Sequence, residues 1–326
     1  MSGYAIQTRQ LTRDFGAVRA VNDMTLDVPA GVIFGFLGAN GAGKTTTIHL
    51  LLGLIAPTSG SARTLGFDVR QQAQEVRERS GALLEANGLY ERLSALDNLD
   101  FYGRVWHMPA ATRQARAQEL LTHFGLWERR QEAVSTWSRG MKQKLAIARV
   151  LFHSPQIIFL DEPTAGLDPV AAASVRDDLA ALAKREGVTV FLNTHNLDEA
   201  QRLCALVGVI RSGKLLAVGS PDELRANSDA PRLEITGSGF GDAALAAARA
   251  APGVARAAFE ATPAWPGRER SEVEIHEGRM LIELQDGARG APIVSALVGA
   301  GASIEEVRRD RASLEEVFLS LMEEKE

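Results

Sequence analysis

The segment Gly38-Ala39-Asn40-Gly41-Ala42-Gly43-Lys44-Thr45-Thr46 spaces its glycines, lysine and threonines as a phosphate cradle requires. Glycines let successive backbone N–H groups converge on an anion, and the positive end of a following helix adds to them. Lys44 is then placed for the β- and γ-phosphates of a nucleotide, and the Thr45 hydroxyl for Mg²⁺. A chance glycine-rich turn is the plainer alternative. Against it, the apolar run Val32–Leu37 before the loop and the apolar-periodic stretch Ile48–Ile55 after it supply the strand and helix that such a cradle needs. A second candidate, Asp161-Glu162, ends the apolar run Ile157–Leu160. In a nucleotide site Asp161 suits Mg²⁺, directly or through water, and Glu162 suits polarising an attacking water. Two acids at a strand end could instead simply cap the next helix, but a phosphate cradle in the same chain favours the chemical roles.

Three further segments, Trp137-Ser138-Arg139-Gly140-Met141-Lys142-Gln143, Ala165-Gly166-Leu167-Asp168 and Asn193-Thr194-His195, complete a pattern. Together with the cradle and the acid pair they resemble the ATP-binding subunit of ABC transporters, over roughly residues 4–226. The resemblance implies ATP and Mg²⁺ as cofactors. It likens the first segment to the family signature, whose Ser138, Arg139 and Gly140 would face the γ-phosphate of ATP held by a second subunit. Physically this is again a helix N-terminus aimed at an anion. Asp168 falls in a segment that looks like the D-loop and joins the nucleotide-contacting set. His195 would donate to the γ-phosphate and hold the attacking water in register with Glu162. Phe15 lies where the family stacks an aromatic on adenine, a core phenylalanine being the alternative.

Two positions depart from the commonest family pattern. Gly88-Leu89-Tyr90 aligns the preceding residues with the Q-loop and leaves Glu85 where glutamine is usual. A carboxylate there still reaches Mg²⁺ or its water, and it adds negative charge that the metal must offset. Arg139 stands in place of a glycine, and Ser-Arg-Gly-Met-Lys resembles the export-type subunits served by small six-helix membrane partners.

The elements that must position these residues are legible in outline. Val32–Leu37, Ile157–Leu160 and Val188–Leu192 are apolar without alternation, as strands covered on both faces in a parallel sheet are. Asp168-Pro169 provides an N-cap and a first-turn proline, and Lys184-Arg185-Glu186-Gly187 provides last-turn cations and a glycine stop. Ser220-Pro221-Asp222-Glu223 is a capping box after a hairpin over Val207–Val218 that turns at Ser212-Gly213. Strands alternating with helices predict a doubly wound α/β domain with its ligands beyond the C-terminal strand ends. A helix from Ala95 to His107, capped by Ser94, resembles part of the family's helical subdomain, over about residues 86–153 here. The resemblance implies that Leu89, Tyr90, Leu93, Phe101, Tyr102 and Trp106 receive the coupling helix of a membrane partner, the alternative for such aromatics being the core.

Composition bounds the rest. The 326 residues carry 36 Lys+Arg against 41 Asp+Glu, a net charge of -5, which disfavours nucleic acid as a partner. The stretch Ala30–Ala39, without a polar side chain, is about half of the ~20 residues that a spanning helix needs. Residues 1–20 hold Arg9, Gln10, Arg13 and Asp14 where a signal peptide would be apolar. The one cysteine, Cys204, excludes an internal disulfide and fits a reducing compartment. Residues 1–226 hold 25 basic and 23 acidic side chains, and residues 227–326 hold 11 and 18. With the polar, proline-ended stretch Ala226–Pro231, this shift divides the chain at 226/227. The acidic remainder is read as strands at Leu233–Ile235, Val273–Ile275 and Met280–Leu284 and helices at Asp242–Ala251, Pro292–Gly299 and Ser313–Met322. Trp265, in the loop Thr262–Gly267, is a candidate exposed contact.

The expectation is therefore an α/β P-loop NTPase domain of the ABC type with a helical subdomain, followed by a small C-terminal α+β domain. Its function would be ATP hydrolysis by Glu162, His195 and Lys44, in a head-to-tail dimer, most simply a homodimer. It would power export through a separately encoded integral-membrane subunit from the cytoplasmic face. Two alternatives differ in class. A soluble ABC-type ATPase acting on ribosomes or chromosomes fits poorly with one phosphate loop and only 93 residues between Lys44 and Ser138. A GTPase-like switch lacks its Asn-Lys-x-Asp motif here.

Overall fold

In the computed structural model the described residues are 3–227, 232–261, 278–285, 288–310 and 313–323. They form two compact units, Met1–Pro221 and Asp222–Glu326. The first unit opens with a hairpin of two long strands, β1 (Tyr4–Phe15) and β2 (Val18–Pro29). Then follow β3 (Ile33–Leu37), α1 (Lys44–Leu51), β4 (Ser59–Thr64), β5 (Phe67–Asp68), α2 (Ala73–Glu78) and β6 (Ser80–Leu83). A helical stretch comprises α3 (Ala95–Val105), α4 (Ala110–His123) and α5 (Arg139–Leu151). The unit closes with β7 (Ile157–Asp161), α6 (Pro169–Glu186), β8 (Thr189–Thr194), α7 (Leu197–Leu203), β9 (Leu206–Arg211) and β10 (Lys214–Gly219).

The continuous apolar runs do lie in the middle of a sheet. Its strand order is β10-β9-β3-β8-β7-β6, parallel except for the β9–β10 hairpin at the edge. Phe34, Phe36, Phe159 and Phe191 are fully buried, with Phe191 within 5.3 to 5.6 Å of the other three rings, centroid to centroid. Rings at such spacings add to the area that they remove from water. The doubly wound expectation was incomplete, because a second, antiparallel sheet β2-β1-β4-β5 packs its apolar side into the same core. The register of β1 against β2 shifts four times, between Tyr4 and Ile6 and again before Leu11, Arg13 and Asp14. Bulges break the period-two alternation by which such a strand would be recognised.

Helix ends follow their caps. Ser94 accepts from the Asp97 amide at 3.1 Å and opens α3, Asp168 opens α6, and Gly187 ends α6 in the left-handed conformation. Helix α3 stops at Val105, and His107 takes a φ of 52° after it. No helix among the described residues is long and apolar enough to cross a membrane.

The second unit contains α8 (Pro221–Asn227), β11 (Arg232–Ser238), α9 (Asp242–Ala250), β12 (Val254–Ala261), β13 (Gly278–Leu284), α10 (Gly290–Gly299), β14 (Ser303–Asp310) and α11 (Leu314–Glu323), where α8 begins at the last residue of the first unit. Its sheet is antiparallel in the order β12-β13-β11-β14. Leu233, Ile235, Met280 and Ile282 form a core with Ala244, Ala248, Ile293 and Leu297 of α9 and α10. Alternate residues of β11 and β13 point the other way and carry ion pairs such as Arg232–Glu283 at 2.9 Å. Strands β12 and β14 escaped the sequence reading, the first being alanine-rich and the second charge-rich. Val273–Ile275 and Thr262–Gly267 with Trp265 lie outside the described residues.

Candidate functional site

Three neighbouring strands, β3, β8 and β7, end at one level. Leu37 pairs with Thr194, and Asn193 pairs with Asp161. The chain therefore delivers the phosphate loop, His195 and Glu162 side by side, beyond the C-terminal edge of a parallel sheet where α/β domains place ligands.

The loop between β3 and α1 closes tightly. Gly43 has a φ of 102°, and a Cβ there would stand 2.1 Å from the Ala20 carbonyl oxygen, so no other residue fits. Lys44, Thr45 and Thr46 form the first turn of α1 rather than a lead-in to it. The Lys44 ammonium is buried and donates to the carbonyls of Gly38 at 2.6 Å and Ala39 at 3.2 Å. Burial draws its pKa below the ordinary lysine value, and the charges of Glu162 and Asp161 oppose that fall. Asn40 and Gly41 are exposed at the tip, and Ala42 is buried.

The Thr45 hydroxyl donates to Oδ2 of Asp161 at 2.8 Å. The other carboxylate oxygen, Oδ1, accepts from the side-chain amide of Asn193. Glu85, exposed just after β6, shares with Thr45, Asp161 and Glu162 a cavity of about 650 Å³. Hydroxyl and carboxylate oxygens this close fit a hard divalent cation such as Mg²⁺. Among the described residues no three His, Cys, Asp or Glu side chains gather as an all-protein metal cage. Mg²⁺ fits such a site when waters and phosphate oxygens complete its shell.

Glu162 adopts a φ of 49°, and its amide donates to the Asn193 carbonyl at 2.8 Å. Its Oε1 lies 2.8 Å from Nδ1 of His195, whose ring is exposed. The carboxylate and imidazole are thus a contiguous pair at strand ends that neighbour the strand leading into the phosphate loop. Behind them Thr164 and Thr194 both donate to Glu199, a residue only 1% exposed.

Not every residue of the expected set gathers around the loop in one chain. Ser138 is the N-cap of α5, accepting from the Met141 amide at 3.3 Å, so Arg139 and Gly140 sit in the first turn of that helix. Arg139 lines the cavity, but its guanidinium donates to the Ala165 carbonyl at 2.9 Å and lies over Gly166. Asp168 is occupied as a cap, accepting from the amides of Val170 at 3.1 Å and Ala171 at 2.9 Å. Phe15 is 47% exposed rather than in the core, with the Arg13 guanidinium 4.5 Å over one ring face. Asn193, Thr164 and Glu199 carry no role of their own in the sequence reading. A buried glutamate one turn after His195 looks there like an ordinary first-turn acid of α7.

On the helical stretch, Tyr90 and Phe101 stand exposed with ring centroids 4.8 Å apart, beside exposed Leu93 and Val105. Trp106 leaves this patch to stack on His153 at 4.0 Å, and the Tyr102 hydroxyl donates to the Gly88 carbonyl.

Known proteins with these features share the same frame. The family described as ABC transporter matches residues 21–165. The daunorubicin resistance ATP-binding protein DrrA3 of Streptomyces coeruleorubidus is 34% identical over 98% of this chain and 96% of its own length. The bacitracin transport ATP-binding protein BcrA of Bacillus licheniformis is 40% identical over 65% of this chain and 68% of its own. Among solved structures, cbiO1 from Clostridium perfringens, part of the transporter complex cbiONQ, superposes with a TM-score of 0.65. It is 26% identical and covers 69% of this chain and 92% of its own.

Proposed function

Because this chain belongs to the ABC transporter family as an ATP-binding subunit, we propose that it hydrolyses ATP to drive export through a separate membrane-spanning subunit. The observation that carries this reading is the placement of Asp161, Glu162 and His195 at adjacent strand ends, with Asp161 bonded to Thr45 of the phosphate loop. The loop amides and Lys44 bind and orient the phosphates, with Gly38, Asn40, Gly41, Ala42, Gly43 and Thr46 shaping the cradle. Glu162 draws a proton from water aligned with the γ-phosphate, and His195, its Nδ1 2.8 Å from that carboxylate, fixes the carboxylate's direction. Thr45 and Asp161 would hold Mg²⁺, with Glu85 within reach of its waters. When bound, the ion neutralises phosphate charge. Phe15 offers its free face to the adenine.

Ser138, Arg139, Gly140 and Asp168 act across a head-to-tail dimer in this reading, most simply of two copies of this chain. Ser138, Gly140 and Asp168 line no part of the cavity that holds Thr45 and Glu162, which supports that assignment, while Arg139 borders it. The exposed Tyr90, Leu93 and Phe101 support a membrane-protein partner over a soluble role, since a contiguous exposed apolar patch marks an interaction surface. The subunit would then sit on the cytoplasmic face of the membrane. Gentle purification from membranes, with identification of the co-purifying hydrophobic protein and comparison of ATP with GTP hydrolysis, tests both halves. A chain that finds no membrane protein in any nucleotide state overturns the transport half. Equal or faster GTP hydrolysis overturns the ATPase half.

A further inference from the structure

Glu199 is a buried acid that the chemistry above does not use. It lies on α7, four residues after His195, and is 1% exposed. Its two carboxyl oxygens are divided between the loop after β7 and the last residue of β8. Oε1 accepts from the Thr164 hydroxyl at 3.0 Å, two residues beyond Glu162, and Oε2 accepts from the Thr194 hydroxyl at 2.8 Å, the residue just before His195. The Thr194 hydroxyl in turn accepts from the Asn196 amide at 3.0 Å, and Asn196 caps α7 through the Glu199 amide at 3.1 Å. Burial pushes the Glu199 carboxyl upward, opposed by both threonine donors and by the charges of Arg176 and His195.

A buried carboxyl is costly unless its oxygens are satisfied, and here each oxygen has a hydroxyl donor. The two hydroxyls that satisfy it flank the reacting pair. We propose that Glu199 is a positioning residue: it ties the segment following Glu162 to the segment preceding His195 and so sets the 2.8 Å register between the carboxylate and the imidazole. Arg139 pins the next residue, Ala165, by its carbonyl, so the loop after Glu162 is held from two sides. Glu199 touches no reacting atom and acts only through these threonines.

This inference rests on the ATPase reading, and its test separates the two. Glu199→Gln keeps shape but loses one acceptor. Thr164→Val removes one donor and leaves the buried acid in place. In the full chain both variants are expected to lower kcat about tenfold to a hundredfold with the KM for ATP unchanged, as misplacement of a reacting group does. The double variant is expected to be no slower than Glu199→Gln alone. In the nucleotide-free chain, Thr164→Val is expected to shift the imidazole resonances of His195, a readout that needs no turnover. A wild-type chain without ATPase activity removes the functional reading, while the resonances still decide the tie. The inference is overturned if Thr164→Val leaves kcat and the His195 resonances unchanged, if the two losses add, or if KM rises with kcat unchanged. Should Glu199→Gln fail to fold, Thr164→Val decides alone by the same criteria.

Discussion

Nδ1 of His195 stands 2.8 Å from Oε1 of Glu162, across the ends of two strands whose last paired residues are Asn193 and Asp161. Each side chain leaves its strand within two residues of that pairing, so the sheet register brings the two groups into reach of one another. A carboxylate placed this way has its direction fixed before any water arrives.

Replacing Glu162 by glutamine keeps the shape and the left-handed backbone but removes the proton acceptor. Turnover is expected to fall by ~10²–10⁴ while ATP binding survives. Size-exclusion chromatography with ATP should then show a dimer that the wild type dissolves by hydrolysis. Near-wild-type turnover would remove Glu162 from the chemistry.

Glu85 shares its cavity with Thr45 and Asp161. Glu85→Gln is expected to raise the Mg²⁺ concentration for half-maximal activity about tenfold, the scale seen when groups around a metal are altered. An unchanged Mg²⁺ titration would mean that this carboxylate stays outside the coordination sphere.

Phe101 is 40% exposed and touches Tyr90 edge-on. Phe101→Glu places a charge in that patch without entering the core. Hydrolysis by the isolated chain should stay within about twofold, because surface changes cost little stability, while recovery of a membrane partner should be lost. Retained recovery would move the docking surface elsewhere.

His153 stacks on Trp106 and meets the Ser80 carbonyl at 3.1 Å. Burial first, and the charges of Arg149 and Arg116 after it, lower its pKa from 6.5 to about 4. The fold therefore holds the neutral ring, and the unfolded chain takes up the proton first on acidification. Stability from this group is complete above pH 6.5 and is lost as pH falls from there toward 4, by on the order of 3 kcal/mol. Urea midpoints across this window should fall more steeply for wild type than for His153→Gln. Parallel curves would assign the acid sensitivity to other groups.

The candidate site residues were readable because each sits beside an unbroken apolar strand: Gly38 after Leu37, Asp161 after Leu160, His195 soon after Leu192. Local pattern and function coincide there. What escaped was either irregular or non-local. Strand β1 hides behind its register shifts, and β14, with Glu305, Glu306 and Arg308, reads as a solvated loop. Glu199 escaped for another reason. Its type and helical place are ordinary, and only the meeting of the loop after β7 with the end of β8 reveals a buried acid with two hydroxyl partners.

Glu162 carries a further consequence through its φ of 49°, a conformation that glycine adopts freely and that a branched or long side chain adopts at a cost of about 1 kcal/mol or more. The position thus sets activity against stability. Glu162→Gly, although inactive, should unfold at a higher temperature than Glu162→Ala, which keeps the backbone penalty and loses the His195 contact. If the carboxylate works as proposed, it does so at a site where the backbone favours glycine, and mutational drift toward a more stable, silent protein is open at this residue.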